Sequence, residues 1–173
     1  MNIKYILIIL GEPYSTFSEI LGKYFIKKKN LEKKIILIGN KEIFTKQLKK
    51  LNYSLNLNQI KNIEESKKNM VNIINVEFKH TKVFSVIDVK SNSYIKKSFD
   101  ISLDILKYND ESILINGPIS KKTFLRKKYS GITEYLSKKT ATKDEVMLIY
   151  NKKLSVMPLT THIPIKYVSK EIK

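Results

Sequence analysis

The chain has 173 residues and a mass of 20.2 kDa, enough for one domain or two small lobes with a real core. Its apolar fraction of 42% and mean hydropathy of −0.25 exclude a disordered tail and a membrane bundle, and the lack of cysteine excludes a disulfide scaffold, thiolate zinc sites and thiol catalysis. The formal charge of +17 comes from 33 basic residues against 16 acidic ones, and Arg126 is the only arginine.

That charge supports two readings. A nucleic-acid binder would cluster its basic residues, with arginine and aromatics among them. Here lysine pairs are scattered from Lys33-Lys34 to Lys152-Lys153. The chain is also rich in Ile, Asn and Tyr, which share A/T-rich codons with Lys. A solvated lysine surface produced by nucleotide bias is the simpler account, and no nucleic-acid partner is expected. Two histidines, His80 and His162, are too few for a multi-histidine metal site within this chain. Neither a G-x-G-x-x-G nor a G-x-x-x-x-G-K-[ST] pattern occurs, which argues against a self-contained Rossmann or P-loop site.

In chain order, Ile3–Leu10 is an apolar run stopped by Gly11-Glu12-Pro13, and reads as a buried strand. Within it Tyr5–Leu10 is too short for the apolar region of a signal peptide and leads to Gly11-Glu12-Pro13, not to a small-residue cleavage site. No segment reaches the roughly 20 apolar residues of a membrane span. A cytoplasmic protein without a membrane partner is expected. Ser15 or Thr16 then caps a helix whose inward face is Ile20, Leu21, Tyr24 and Phe25. Lys34–Ile38 is a second strand, stopped at Gly39-Asn40. Ile43, Phe44, Leu48 and Leu51 mark a second amphipathic helix. Strand–helix–strand–helix with short turns argues for a parallel α/β sheet.

Residues 52–82 are less legible, with a strand near Val71–Val76. Ser91–Lys107 reads as a helix capped by Ser91 or Ser93, with Ile95, Phe99, Leu103 and Leu106 on one face. Ser112–Asn116 reads as another buried strand. Ile132–Lys139 is helical, and Val146–Tyr150 and Leu154–Leu159 are strands joined by a hairpin-like turn. Pro164 opens a last helix running to Ile172.

Three strand-end segments could carry chemistry. Asn116-Gly117-Pro118-Ile119-Ser120-Lys121 forces a sharp turn into a helix start, where Lys121 could meet a phosphate or carboxylate, or simply be solvated. In Gly131-Ile132-Thr133-Glu134-Tyr135, Thr133 caps a helix or touches a ligand. In Thr160-Thr161-His162-Ile163-Pro164, His162 is placed for metal ligation, for proton transfer or for a structural role.

In this order the segments resemble the 4-hydroxythreonine-4-phosphate dehydrogenase family of pyridoxal-phosphate biosynthesis. That family carries a G-[DE]-P-x-G-I-G-P-[DE] loop, a [TN]-G-P-[IL]-[NS]-K turn, a G-H-T-E-[YF] segment and a T-T-H-[LI]-P-[LI] segment. Here they read Gly11 to Glu19, Asn116 to Lys121, Gly131 to Tyr135 and Thr160 to Ile165. The resemblance implies a three-layer α/β/α fold like that of isocitrate and isopropylmalate dehydrogenases, of which this chain would form the N-terminal half. It implies a first lobe over about 1–90 and the start of a second over 91–173. It also implies a homodimer acting on a small phosphorylated hydroxy-amino acid with NAD or NADP and a divalent metal (Zn, Mg or Co).

By that resemblance, His162 is a metal ligand, Thr133 contacts substrate and Lys121 lies near substrate. Ile132 occupies the position of a substrate-contacting histidine, and an isoleucine cannot supply a hydrogen bond. Ser15 and Phe17 replace two glycines of the first loop. With a single matching metal ligand, the chain is expected to be inactive alone, either as part of a longer enzyme or as a non-catalytic binding or assembly module on the same fold.

Overall fold

The structure is a computed structural model that describes residues 2–28, 30–126, 128–142, 145–160 and 163–172. It gathers into two compact units, Met1–Phe124 and Leu125–Lys173. Residue 90, the expected lobe boundary, falls inside the first unit.

The first unit contains β1 (Tyr5–Ile9), α1 (Phe17–Lys27), β2 (Lys34–Gly39), α2 (Lys41–Lys50), β3 (Leu57–Ile60), β4 (Val71–Asn75), α3 (Asn92–Lys107) and β5 (Ser112–Asn116). The strands form one parallel sheet in the order β3-β4-β2-β1-β5. In register, Leu7 of β1 stands opposite Ile36 of β2 and Leu114 of β5.

The continuous apolar runs of β1, β2 and β4 follow from burial on both faces. Successive side chains point to opposite sides. Ile8, Ile35, Leu37 and Ile73 pack with Leu21 and Phe25 of α1 and with Phe44 and Leu48 of α2. Leu7, Ile9, Ile36 and Ile38, on the other face, are buried with Ile95 and Phe99 of α3, which packs across β1, β2 and β5. The result is a three-layer α/β/α arrangement, as expected. Among the described residues no helix is long and apolar enough to cross a membrane.

Several local expectations are corrected. The buried face of α1 is Ser18, Leu21, Gly22 and Phe25, whereas Ile20 and Tyr24 are exposed. Gly22 is the reason: a Cβ there would lie 2.6 Å from the Tyr53 ring and 2.9 Å from Leu48, so the helix turns its glycine inward. Thr16 occupies the N-cap position without a side-chain cap bond, while Ser15 Oγ accepts from Phe17 N. Ser91 occupies the N-cap position of α3 without a side-chain cap bond, because its hydroxyl is engaged elsewhere. Strand β5 is an edge strand in which only Ser112 is buried; Ile113 and Ile115 are partly open. β3 was not anticipated, because Leu57-Asn58-Gln59-Ile60 is half polar and lies on the other edge.

The second unit contains α4 (Ile132–Thr140), a two-stranded antiparallel pair β6 (Ile149–Tyr150) and β7 (Ser155–Val156), and α5 (Ile165–Glu171). Tyr135 of α4 is buried, edge-on to Tyr129 at 5.4 Å. Both strands are shorter than the apolar runs that contain them. Helix α4 ends at Ala141, which takes a left-handed φ of 53°. Beyond it Ser137 Oγ lies 2.9 Å from the Thr142 carbonyl and 2.8 Å from Glu145 Oε2, and this contact holds the Glu145 carboxyl below its ordinary pKa.

An L-residue in this left-handed position carries a steric cost that glycine avoids. Ala141→Gly is expected to stabilise the chain by about 1 kcal/mol. Urea unfolding followed by circular dichroism checks this, and an unchanged or lower midpoint would contradict it.

Candidate functional site at the carboxyl edge of the sheet

From β1 the chain builds outward through β2 and β4 on one side, then returns to add β5 on the other. Strand order reverses between β1 and β5, and open α/β sheets place ligands outside the carboxyl ends of strands at such a point. The loops leaving these two strands are locked together. Glu12 N donates to Pro118 O at 2.7 Å, and Gly117 N donates to Ile9 O at 2.8 Å. Gly11 has φ +69°, and a Cβ there would sit 2.3 Å from Pro118 O. A Cβ on Gly117 would sit 2.5 Å from Ile9 O. Both glycines are therefore required by the close approach of two backbones.

A buried polar junction lies next to this crossing. The Glu12 side chain is 1% exposed; Oε2 is 2.8 Å from Ser91 Oγ and Oε1 accepts from Tyr14 N at 3.4 Å. Burial pushes its carboxyl pKa up, and the nearby Asp88 adds to this, against the opposing pull of the Ser91 and Tyr14 bonds. Gln47 of α2 donates through Nε2 to Pro13 O at 2.7 Å and to Val83 O at 2.9 Å, tying the loop after β1 to the loop before α3. Asn40 caps α2 by accepting from Ile43 N at 2.9 Å, donates from Nδ2 to Val76 O at 3.1 Å, and donates from its backbone N to Tyr94 Oη at 3.2 Å. Burial drives the Tyr94 hydroxyl far above its usual pKa, so it stays neutral. Phe78 packs among Tyr94, Tyr14 and His80 with ring centroids 5.1, 6.1 and 6.2 Å away.

Lys121 is exposed at the start of a five-residue π-helical turn, Lys121–Leu125, in place of the expected regular helix. Ser120 organises this turn: its carbonyl accepts from Phe124 N at 2.9 Å and its hydroxyl from Thr123 N at 3.2 Å. Thr133 is half-buried in the first turn of α4 beside Ile132; the N-cap position belongs to Gly131, not to Thr133. Thus Lys121 belongs to the first unit and Ile132 and Thr133 to the second. His162 lies outside the described residues.

Among the described residues no group of three or more His, Cys, Asp or Glu side chains could hold a metal ion. The described residues thus do not themselves make a divalent metal centre. Gly11 and Gly117 do not open a cradle for a dinucleotide either, since each faces the other loop's backbone. This edge is a rigid platform of backbone and buried polar groups. Gln47, Asn40 and Tyr94 escaped the sequence reading, and Glu12 entered it only as a member of the Gly-Glu-Pro loop motif. Only Asn40 left a signal, an Asn directly after a strand and three residues before the buried Ile43.

The sequence model of the pyridoxal phosphate biosynthetic protein PdxA matches residues 31–173. The chain belongs to the PdxA family. It is 32% identical over 175 residues to the 4-hydroxythreonine-4-phosphate dehydrogenase of Sulfurihydrogenibium sp. (strain YO3AOP1), covering 95% of this chain and 52% of that protein. Identity to the Aquifex aeolicus enzyme of the same name is also 32%, covering 98% and 53%. The chain spans about half the length of these curated relatives. Among solved structures, the 4-hydroxythreonine-4-phosphate dehydrogenases of Klebsiella pneumoniae and Burkholderia phymatum share the fold, each with a TM-score of 0.76. Identities are 20% and 17%; the matches cover 96% and 95% of this chain, and 54% and 52% of those chains. They bear out the dehydrogenase-type α/β fold expected from the motifs.

A Cβ at Gly11 adds a clash to an unfavourable φ, so Gly11→Ala is expected to destabilise by about 2–4 kcal/mol. Asn40→Ala, which removes a cap and a buried amide, is expected to cost about 1–3 kcal/mol. Chemical denaturation of the two variants tests both; a Gly11→Ala midpoint equal to that of the parent would refute the backbone-crossing account.

Proposed function

We propose that this chain forms the N-terminal portion of an NAD(P)-dependent, divalent-metal-dependent dehydrogenase that oxidises 4-phosphooxy-L-threonine in pyridoxine 5′-phosphate biosynthesis. The observation that carries this reading is 32% identity to two enzymes of that name along nearly the whole chain, with the strand-end motifs in family order. In the reaction class, the secondary alcohol would pass a hydride from carbon to oxidised NAD or NADP and its hydroxyl proton to a base; the resulting 3-oxo acid would release carbon dioxide, leaving an enolate that takes up a proton.

In this reading Thr133 contacts substrate, Lys121 lies near its anionic groups, and His162 supplies one metal ligand. The work of the first unit is positional. Its locked β1 and β5 loops fix the edge from which the Lys121 turn departs. The protein acts in the cytoplasm as a homodimer. Because three protein ligands and an open position are the usual minimum for a catalytic metal, the 173 residues are inactive by themselves.

A second reading, a non-catalytic binding or assembly module, is favoured by Ile132. An apolar side chain leaves a substrate polar group unpaired, at a cost of about 1–3 kcal/mol. Relatives from Fusobacterium nucleatum and Clostridium botulinum, 27% identical, are named for D-threonate 4-phosphate dehydrogenation, so that compound belongs in the assay beside 4-phosphooxy-L-threonine.

The purified 173-residue chain is expected to turn over neither substrate with NAD or NADP and added metal. Joined to the second half of the Aquifex aeolicus relative, it is expected to bind metal, and His162→Ala to abolish that binding. Ile132→His in the joined protein is expected to raise kcat/KM about tenfold or more. Turnover by the 173 residues alone would overturn the inactive-alone reading. A joined protein that folds and binds metal but stays inactive, both as it stands and with the Ile132→His substitution, would favour the non-catalytic module.

A further inference from the structure

The Ser91 hydroxyl has one proton and two acceptors within reach, Glu12 Oε2 at 2.8 Å and the Asp88 carbonyl at 3.0 Å. If Glu12 were ionised, Ser91 could satisfy only one of them. If Glu12 carries a proton, the bonds run in one direction: Glu12 O–H donates to Ser91 Oγ, and Ser91 O–H donates to Asp88 O. Every donor then has its own acceptor, which is what a buried network requires.

The surroundings agree. Glu12 faces Asp88 from the turn before α3, a second anion that opposes its ionisation. It also faces the neutral Tyr94 of α3 and Tyr14 of its own loop. α2 contributes neutral Gln47, and Ser15 and Ser18 complete the lining on the α1 side. The ion pairs Lys4–Glu111, Lys23–Glu19 and Lys46–Glu42 lie elsewhere. The cavity beside Glu12, of about 10 Å³, admits at most one water, so the acid meets no substrate there and acts through the loops it joins.

We propose that Glu12 is a positioning residue that works as a neutral carboxylic acid, its proton clipping the loop after β1 to the turn that opens α3. The clip lies beside the Gly11–Gly117 crossing, so ionisation of Glu12 loosens the edge that carries the candidate site. Burial raises the folded-state pKa above 4.5, so the folded chain keeps a proton that the unfolded chain releases. The contribution of this proton is fully present below 4.5 and is lost as pH rises through the folded value.

The test uses the 173-residue chain and its Glu12→Gln variant, since glutamine imitates the neutral acid, donating to Ser91 and accepting from Tyr14. Urea unfolding is followed from mildly acidic to alkaline pH. The variant is expected to match the parent in acid and to exceed it progressively as pH rises, removing that share of the pH dependence. Ser91→Ala, which deletes the hydroxyl that receives the proton, is expected to lower the urea midpoint in acid, where the clip is closed, and a midpoint equal to that of the parent there would count against the clip. Infrared difference spectra of parent against Glu12→Gln in mild acid, above pH 4.5, are expected to show a protonated carboxyl band. A carboxylate band instead, or a variant less stable than the parent at every pH, would overturn the proposal. Should Glu12→Gln fail to fold, carboxyl carbon NMR shifts of the parent across the same pH range decide between acid and carboxylate.

Discussion

Two polypeptide loops touch backbone to backbone at Gly11 and Gly117, and the geometry of the sheet's carboxyl edge depends on that contact. Two hydrogen bonds cross it, Glu12 N to Pro118 O and Gly117 N to Ile9 O, and each glycine occupies space that the other loop's carbonyls deny to any Cβ. The crossing draws the ends of β1 and β5 together where the strand order reverses. Because its partners are main-chain atoms, it is indifferent to most side-chain change. It therefore survives the replacement of two further family glycines by Ser15 and Phe17. Those residues instead start α1, with Ser15 bonding Phe17 N.

The centre of the sheet was legible in the sequence because β1, β2 and β4 are buried on both faces and so read as unbroken apolar runs. Legibility failed where burial is one-sided or absent. β3 alternates Leu57 and Ile60 with Asn58 and Gln59, and its edge position removes the need for a longer run. On α1, helical spacing alone could not choose between two apolar stripes. A contact with Tyr53 and Leu48, distant in sequence, selected the face that contains Gly22. The motif segments, Glu12 among them, were visible through the resemblance to the family, whereas the roles of Glu12, Gln47 and Tyr94 were not, since they arise from pairings across 34 to 79 residues of sequence.

The second unit presents a different physical situation. Val146, Leu148, Tyr150, Leu154, Met157 and Leu159 are all exposed, around a pair of strands only two residues long each. Apolar residues on successive positions belong to strands covered on both faces, and a lone two-stranded pair cannot cover them. The same residues match the PdxA family, whose curated relatives are about twice as long as this chain. The short strands do not reflect weak strand propensity. Ile and Val at β6 and β7 are strong strand formers.

These two situations divide the labour between the units. In the first, buried polar groups are paired at short range and hold a fixed edge: Gln47 spans two loops, Asn40 joins a helix cap to a strand end, and Glu12 joins the first loop to α3. In the second, the motif positions Ile132 and Thr133 fall on a scaffold whose apolar surface is still open. A catalytic constellation has to be held within about half an ångström, a tolerance that buried, paired side chains reach and exposed ones do not. The exposed apolar residues between 146 and 159 are the part of the described structure that lacks the packing such a tolerance requires.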